Sequence, residues 1–171
     1  MTMNTRAFLL VISIAAPFSA SADDDSRSLA KFKGGIGVIP VSSAPGPAPT
    51  AAVVNRNIVR GVQPPGQIWV IEDLRGDVKA DGSIRVDGRG LLLGGGNAIG
   101  GNANQSVRAT LICEAAAPFT LHDTNTVPLE PNGDFRIDDT LNPPPPAVCD
   151  SPVLLIRNPA GAWFAAGIPK R

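Results

Sequence analysis

Asp81-Gly82-Ser83-Ile84-Arg85-Val86-Asp87 and Asn132-Gly133-Asp134-Phe135-Arg136-Ile137-Asp138 are the two stretches whose reading decides the fold class. Each opens on Asp-Gly or Asn-Gly, a pair suited to the positive φ of a type I′ hairpin turn. Each then alternates apolar and charged side chains with the period of two that a half-buried strand requires. Gly82, Arg85 and Asp87 recur as Gly133, Arg136 and Asp138 at a constant offset of 51 residues. The offset fits an internal duplication, although two hairpins with one wet face each explain it more simply.

Outward from these stretches, short apolar runs alternate with turn chemistry. Val107-Arg108-Ala109-Thr110-Leu111-Ile112-Cys113 places Val107, Ala109, Leu111 and Cys113 on one face. Val153-Leu154-Leu155-Ile156 and Ala162-Trp163-Phe164-Ala165-Ala166 predict a last hairpin around Arg157-Asn158-Pro159-Ala160-Gly161. Ile68-Trp69-Val70-Ile71 is apolar on both pleat faces and predicts a central strand covered on both sides. Val53 to Val62 is a further strand candidate, and Pro40 confines any strand over Phe32 to Val41 to an edge. Ser42 to Pro49 reads as a loop or short polyproline segment. Gly and Pro make up 35 of 171 residues, which argues against long helices. The expected fold is all-β, a β-sandwich of nine or ten short strands, with a small β-barrel as the alternative. An immunoglobulin pattern would put a Trp between the two Cys, but Trp69 and Trp163 both lie outside the pair.

Residues 1–22 have the parts of a secretory signal peptide: Arg6, the apolar run Ala7 to Ala16, and Ala20-Ser21-Ala22 as a cleavage site after Ala22. The run is shorter than the ~20 residues a membrane span needs. Residues 23–33 are polar and read as a disordered lead-in, leaving 34–171 as one β domain in the periplasm or outside the cell. In such a compartment Cys113 and Cys149, 36 residues apart, read as one disulfide rather than a redox pair. In the chain-entropy picture that closure contributes roughly 3.5 to 4 kcal/mol. Pro143 to Pro146 would deliver Cys149 back toward its partner as a stiff extended crossing, in preference to docking in an aromatic groove.

With 15 basic and 15 acidic residues, the chain lacks the electrostatic basis for binding nucleic acid, and no integral membrane segment follows the signal. The loop Gly94 to Asn104 is a tandem pentad without phosphate-binding spacing. It is either a mobile surface loop or a binding loop whose amides Asn97, Asn102 and Asn104 donate and accept. His122 is the only imidazole; on a strand its neighbour Asp123 points away and cannot orient it, so an exposed structural His is expected. One His and two bonded Cys supply no zinc site, and Asp81, Asp87, Asp138 and Asp139 lack a calcium-loop pattern; neither metal nor cofactor is expected. Glu72 with Asp73, or Glu130 with Asp134, are the carboxylate pairs a glycosidase could use. Asn104-Gln105-Ser106 matches the N-glycosylation triplet.

Phe32-Lys33-Gly34-Gly35-Ile36-Gly37-Val38-Ile39-Pro40-Val41, the block Val54 to Trp69 and Asn132 to Asp138 together resemble small exported bacterial proteins of unknown function. The resemblance implies a bacterial envelope or secreted setting and transfers no functional residue. The expectation is therefore a non-enzymatic binding or structural module with an envelope or extracellular ligand. A secreted carboxylate-based hydrolase is the alternative. A third reading is a subunit that self-associates through edge strands near Val38 or Val153.

Overall fold

A computed structural model describes residues 27–46 and 52–170. The proposed signal peptide lies outside the described residues. Thirteen strands run in chain order as β1 (Ser28–Gly37), β2 (Val41–Pro45), β3 (Ala52–Arg56), β4 (Trp69–Val70), β5 (Asp73–Lys79), β6 (Ser83–Arg89) and β7 (Leu92–Leu93). They continue as β8 (Ser106–Ile112), β9 (His122–Asp123), β10 (Val127–Pro128), β11 (Phe135–Thr140), β12 (Val153–Arg157) and β13 (Trp163–Pro169). No helix occurs among the described residues. The protein is all-β: nine strands form one antiparallel sheet in the order β10-β8-β12-β13-β1-β5-β6-β11, with β9 on β8. The other four make two-stranded sheets, β2 with β3 and β4 with β7.

The main sheet curls into a half-barrel, and its far ends meet. Asp123 of β9 and Asn142, just past β11, exchange backbone hydrogen bonds of 3.0 and 2.9 Å. Alternation drives the curl, because Leu74, Val78, Ile84, Val86, Phe135 and Ile137 all turn inward onto Leu111, Leu154 and Ile156. Around β8, β12 and the start of β13 the burial is two-sided. Thr110, Leu111 and Ile112 are all fully buried, as are Leu154, Leu155 and Ile156. The segment from Asn57 to Trp69 helps cover this half: Trp69 stacks on Phe164 with centroids 4.0 Å apart, and Trp163 Nε1 donates to the carbonyl of Asn57.

Cys113 and Cys149 are bonded, with Cα atoms 4.8 Å apart. Arg60 reaches over this staple and donates to the backbone carbonyls of Glu114 and Ser151 and to the Ser151 hydroxyl. One guanidinium thus ties the chain ends that flank both sulfurs.

Several expectations are corrected. The lead-in of 23–33 gives way from Ser28 onward to β1, where Ala30 and Phe32 are buried and the strand lies between β13 and β5. Pro40 sets no edge, because β1 ends at Gly37. Val41 to Pro45 is strand β2, not a loop, paired with β3. Only Trp69 and Val70 of the 68–71 run form a strand, and Ile68 and Val70 are exposed, so the run is not covered on both sides. Val38 is buried and bonded to Phe164 and Trp69, and Val153 lies on β12 between β8 and β13; neither is a free edge for self-association.

The two Gly turns share one geometry, which is not type I′. Gly82 N–H donates to Lys79 O and Gly133 N–H to Glu130 O, at 3.0 and 2.8 Å. Only the glycines take positive φ, at 85° and 83°, so each is a type I turn closed by a left-handed glycine. Asp81-Gly82 joins the hairpin β5-β6 as expected. Asn132-Gly133 does not join paired strands, since β10 pairs with β8 and β11 with β6. The two repeated stretches instead pair with each other, antiparallel, matching Arg85 with Asp138 and Asp87 with Arg136.

Candidate functional site

Inward packing of β1, β5, β6 and β11 leaves every other side chain on a bare outer face. The register aligns Lys33, Arg75, Asp87 and Arg136 in one cross-strand row and Lys31, Asp77, Arg85 and Asp138 in the next. Arg85 grips Asp138 through two nitrogens at 2.6 and 3.1 Å, while Arg136 stands 3.7 Å from Asp87. Arg75 pairs with Asp73 at 3.2 Å and Lys79 with Asp77 at 2.9 Å. The Asp138 carboxylate holds the Arg85 guanidinium above the usual arginine value. Partial burial pushes the Asp77 carboxyl up, but hydrogen bonds from Lys79 and Ser28 and the charges of Lys79 and Lys31 outweigh it and hold it low.

Two grooves share Arg75 on this face. One, of about 720 Å³, is lined by Asp73, Asp87, Glu130 and Asp134 together with Arg75, Arg89 and Arg136. The other, of about 400 Å³, gathers Lys31, Lys33, Arg75 and Lys170 around Asp77. Among the described residues the side chains of Lys33, Lys170, Arg89 and Glu130 have no hydrogen bond or ion pair. The face is therefore a charge lattice with cations in excess at one end and unsatisfied polar groups at both. Those are the groups that can meet a charged ligand without first breaking an internal pair.

Asp73, Glu130 and Asp134 are brought to one groove, whereas Glu72 does not line it. Asp134 is already committed, its Oδ1 accepting the Gly90 N–H at 3.1 Å. The binding-loop candidates do not converge. Asn97 and Asn104 are exposed on the loop after β7, and Asn102 is a brace, donating to the carbonyls of Leu129 and Glu130 at 2.8 and 3.1 Å. The Gly-rich loop is thereby tethered to the rim of the larger groove. Asn104 keeps the glycosylation triplet at the surface.

His122 is a correction: it is buried, not exposed, and its Nδ1 donates to Pro143 O at 2.8 Å. Asp123 faces elsewhere, accepting from Thr110 and Arg157. The four calcium candidates are dispersed, with Asp81 and Asp139 capping backbone N–H groups and Asp87 and Asp138 paired with arginines. Among the described residues no group of three or more His, Cys, Asp or Glu could hold a metal ion.

Lys33, Arg75, Arg89 and Lys170 escaped the reading of the sequence. A signal for four members of the lattice, Arg85, Asp87, Arg136 and Asp138, was present. An Arg-x-Asp triplet that recurs can only pair antiparallel with its copy so that each Arg meets an Asp.

No family model, curated protein or solved structure matches this chain. A disulfide belongs to oxidising compartments, and no helix among the described residues is long and apolar enough to cross a membrane.

Proposed function

We propose that the chain acts after export, with cleavage after Ala22, as a non-enzymatic binding module of a bacterial envelope or secretome, and that its outer face on β1-β5-β6-β11 holds an extended anionic ligand. The observation that carries this reading is the cluster Lys31, Lys33, Arg75 and Lys170 around the single carboxylate Asp77. Its cations exceed its anions on a face that no other element covers among the described residues, so field and access favour an anion there. The alternation of paired charges beyond it gives the ligand a flat, solvated track rather than an enclosed reaction site.

Immobilised heparin, an extended polyanion, tests the placement. The full-length protein, processed by a bacterial host, should elute at higher salt than the Lys33→Glu/Arg75→Glu variant; equal elution would remove the ligand from this face. Mass spectrometry of the N-terminus in supernatant and periplasmic extract tests the export step separately.

A carboxylate-based hydrolase is the second reading, favoured by Asp73, Glu130 and Asp134 sharing one groove. It requires two carboxyls roughly 5 to 10 Å apart, one of them protonated. Release of reducing ends from a polysaccharide that disappears in Glu130→Gln would establish it in place of the binding module.

A further inference from the structure

On the opposite, covered half of the sheet, two guanidinia share one carboxylate. Arg157 Nη1 lies 3.1 Å from Asp123 Oδ1, and Arg108 Nη1 lies 3.6 Å from Asp123 Oδ2. Thr110 donates to the same Oδ1 at 2.5 Å. The cluster thus carries two positive charges against one negative, with the Arg157 side chain 10% exposed and the Arg108 side chain 24%. Charge that is desolvated and unbalanced is where an anion gains most.

Arg157 also forms part of the lining of a groove of about 490 Å³ between the Asn158–Gly161 turn and the segment at Phe119. Its Nε donates to Gly161 O and its Nη1 is taken by Thr110 and Asp123, whereas Nη2 has no hydrogen bond among the described residues. Gly161, at φ +96°, keeps the approach open, since a Cβ there would stand 3.1 Å from Nη2. Val62, Phe119, Leu121 and Ala162 make most of the remaining wall apolar, with Gln63 its one uncharged polar side chain. Arg60, the other cation in the wall, is engaged by the carbonyls around the disulfide.

We propose that this groove binds a small organic carboxylate, with the carboxylate on Arg157 Nη2 and its apolar body against Phe119 and Leu121. This site is independent of the charged outer face and takes a different ligand. One oxygen meets a donor already oriented by Gly161 and Asp123, so little ordering of the protein is needed. The apolar wall selects an alkyl or aryl acid over a bare inorganic anion.

Titration of the full-length protein, processed by a bacterial host and ¹⁵N-labelled, with phenylacetate, read by amide shifts at Gly161, Ala162 and Leu121, tests the proposal. Saturable shifts are expected, at least about tenfold weaker in Phe119→Ala, a truncation at a half-buried position. Phenethylamine, which keeps the ring and reverses the charge, should shift none of them. Arg157→Lys should also weaken binding, with its melting curve reporting whether the fold is kept. No saturable shift with phenylacetate, an equal response to phenethylamine or to inorganic phosphate, or unchanged affinity in Phe119→Ala would each overturn the proposal.

Discussion

The two halves of the curled sheet solve the same problem differently. On β5, β6 and β11 one face packs and the other is wet, so charged side chains stand in the solvent and pair across strands. On β8 and β12 both faces are largely buried; the charges these strands carry, Arg108 and Arg157, meet half-buried Asp123 of the neighbouring β9 beside fully buried Thr110. An ion pair in water contributes little because solvent already satisfies both partners; a buried one is bound to its partner, because neither can be left alone.

The largest expected effect follows from that contrast. Asp123→Ala should lose about 3–5 kcal/mol in urea unfolding, since Arg157 would keep a buried charge with its counter-ion gone. Asp138→Ala, at the tighter pair on the bare half, should lose no more than about 1 kcal/mol. Equal losses would abolish the distinction between the halves.

Opening the disulfide comes next. Replacing Cys113 and Cys149 by Ser should remove roughly 3.5 to 4 kcal/mol, because the bond closes a 36-residue separation. The bridge leads into the covered half at β8 and β12. Hydrogen exchange should therefore rise in Val107 to Ile112 and Val153 to Arg157 before it rises in the β5-β6 hairpin. A uniform rise would show that the halves open as one unit.

The repeated turns offer a smaller test. Gly82→Ala should cost about 1 kcal/mol, the penalty of a side chain at positive φ. Gly133→Ala should cost more, because a Cβ there would sit 2.5 Å from Leu91 N, whereas at Gly82 the nearest atom is Pro145 Cδ at 3.1 Å. Identical costs would mean that backbone conformation alone sets the requirement. Below this lies the coupling of Arg85 with Asp138. A double-mutant cycle should give a small coupling that fades in ~1 M salt, while the Asp123–Arg157 coupling persists.

The bare half was legible in the sequence because a wet face writes itself as alternation. Ser83 to Asp87 and Phe135 to Asp138 read as strands, and the Asp81-Gly82 hairpin was found. The covered half was half-legible: Cys113 and its face are placed as expected, but Thr110 and Asp123 look like ordinary solvent residues until the partner Arg157 arrives from a strand 34 residues beyond Asp123. Burial of His122 was hidden for the same reason, its partner Pro143 being 21 residues away. Strand identity is a local property, whereas cover is supplied by distant segments. The lysine end of the candidate site was missed because 23–33 carries too little apolar pattern to reveal a strand. Only the neighbours β5 and β13 make Ala30 and Phe32 core residues.

Acid provides the finest discrimination between the halves. Asp77 on the bare face has its carboxyl held below the ordinary 3.8 by Lys79, Ser28 and Lys31, despite partial burial that pushes the other way. Asp139, at the seam beside β9, is likewise held low, by the N–H groups of Asn125 and Thr140 against a similar burial effect. A carboxyl whose folded value lies below its unfolded one contributes fully above the unfolded value and loses that contribution as pH falls through the folded one. The melting temperature should therefore fall on acidification from about pH 4 downward. Asp77→Asn and Asp139→Asn should each flatten that fall while lowering the melting temperature slightly at neutral pH. High salt should erase more of the Asp77 share than of the Asp139 share, because two lysine charges support the first and backbone dipoles the second. A pH profile that both variants leave unchanged would show that neither carboxyl carries the acid sensitivity.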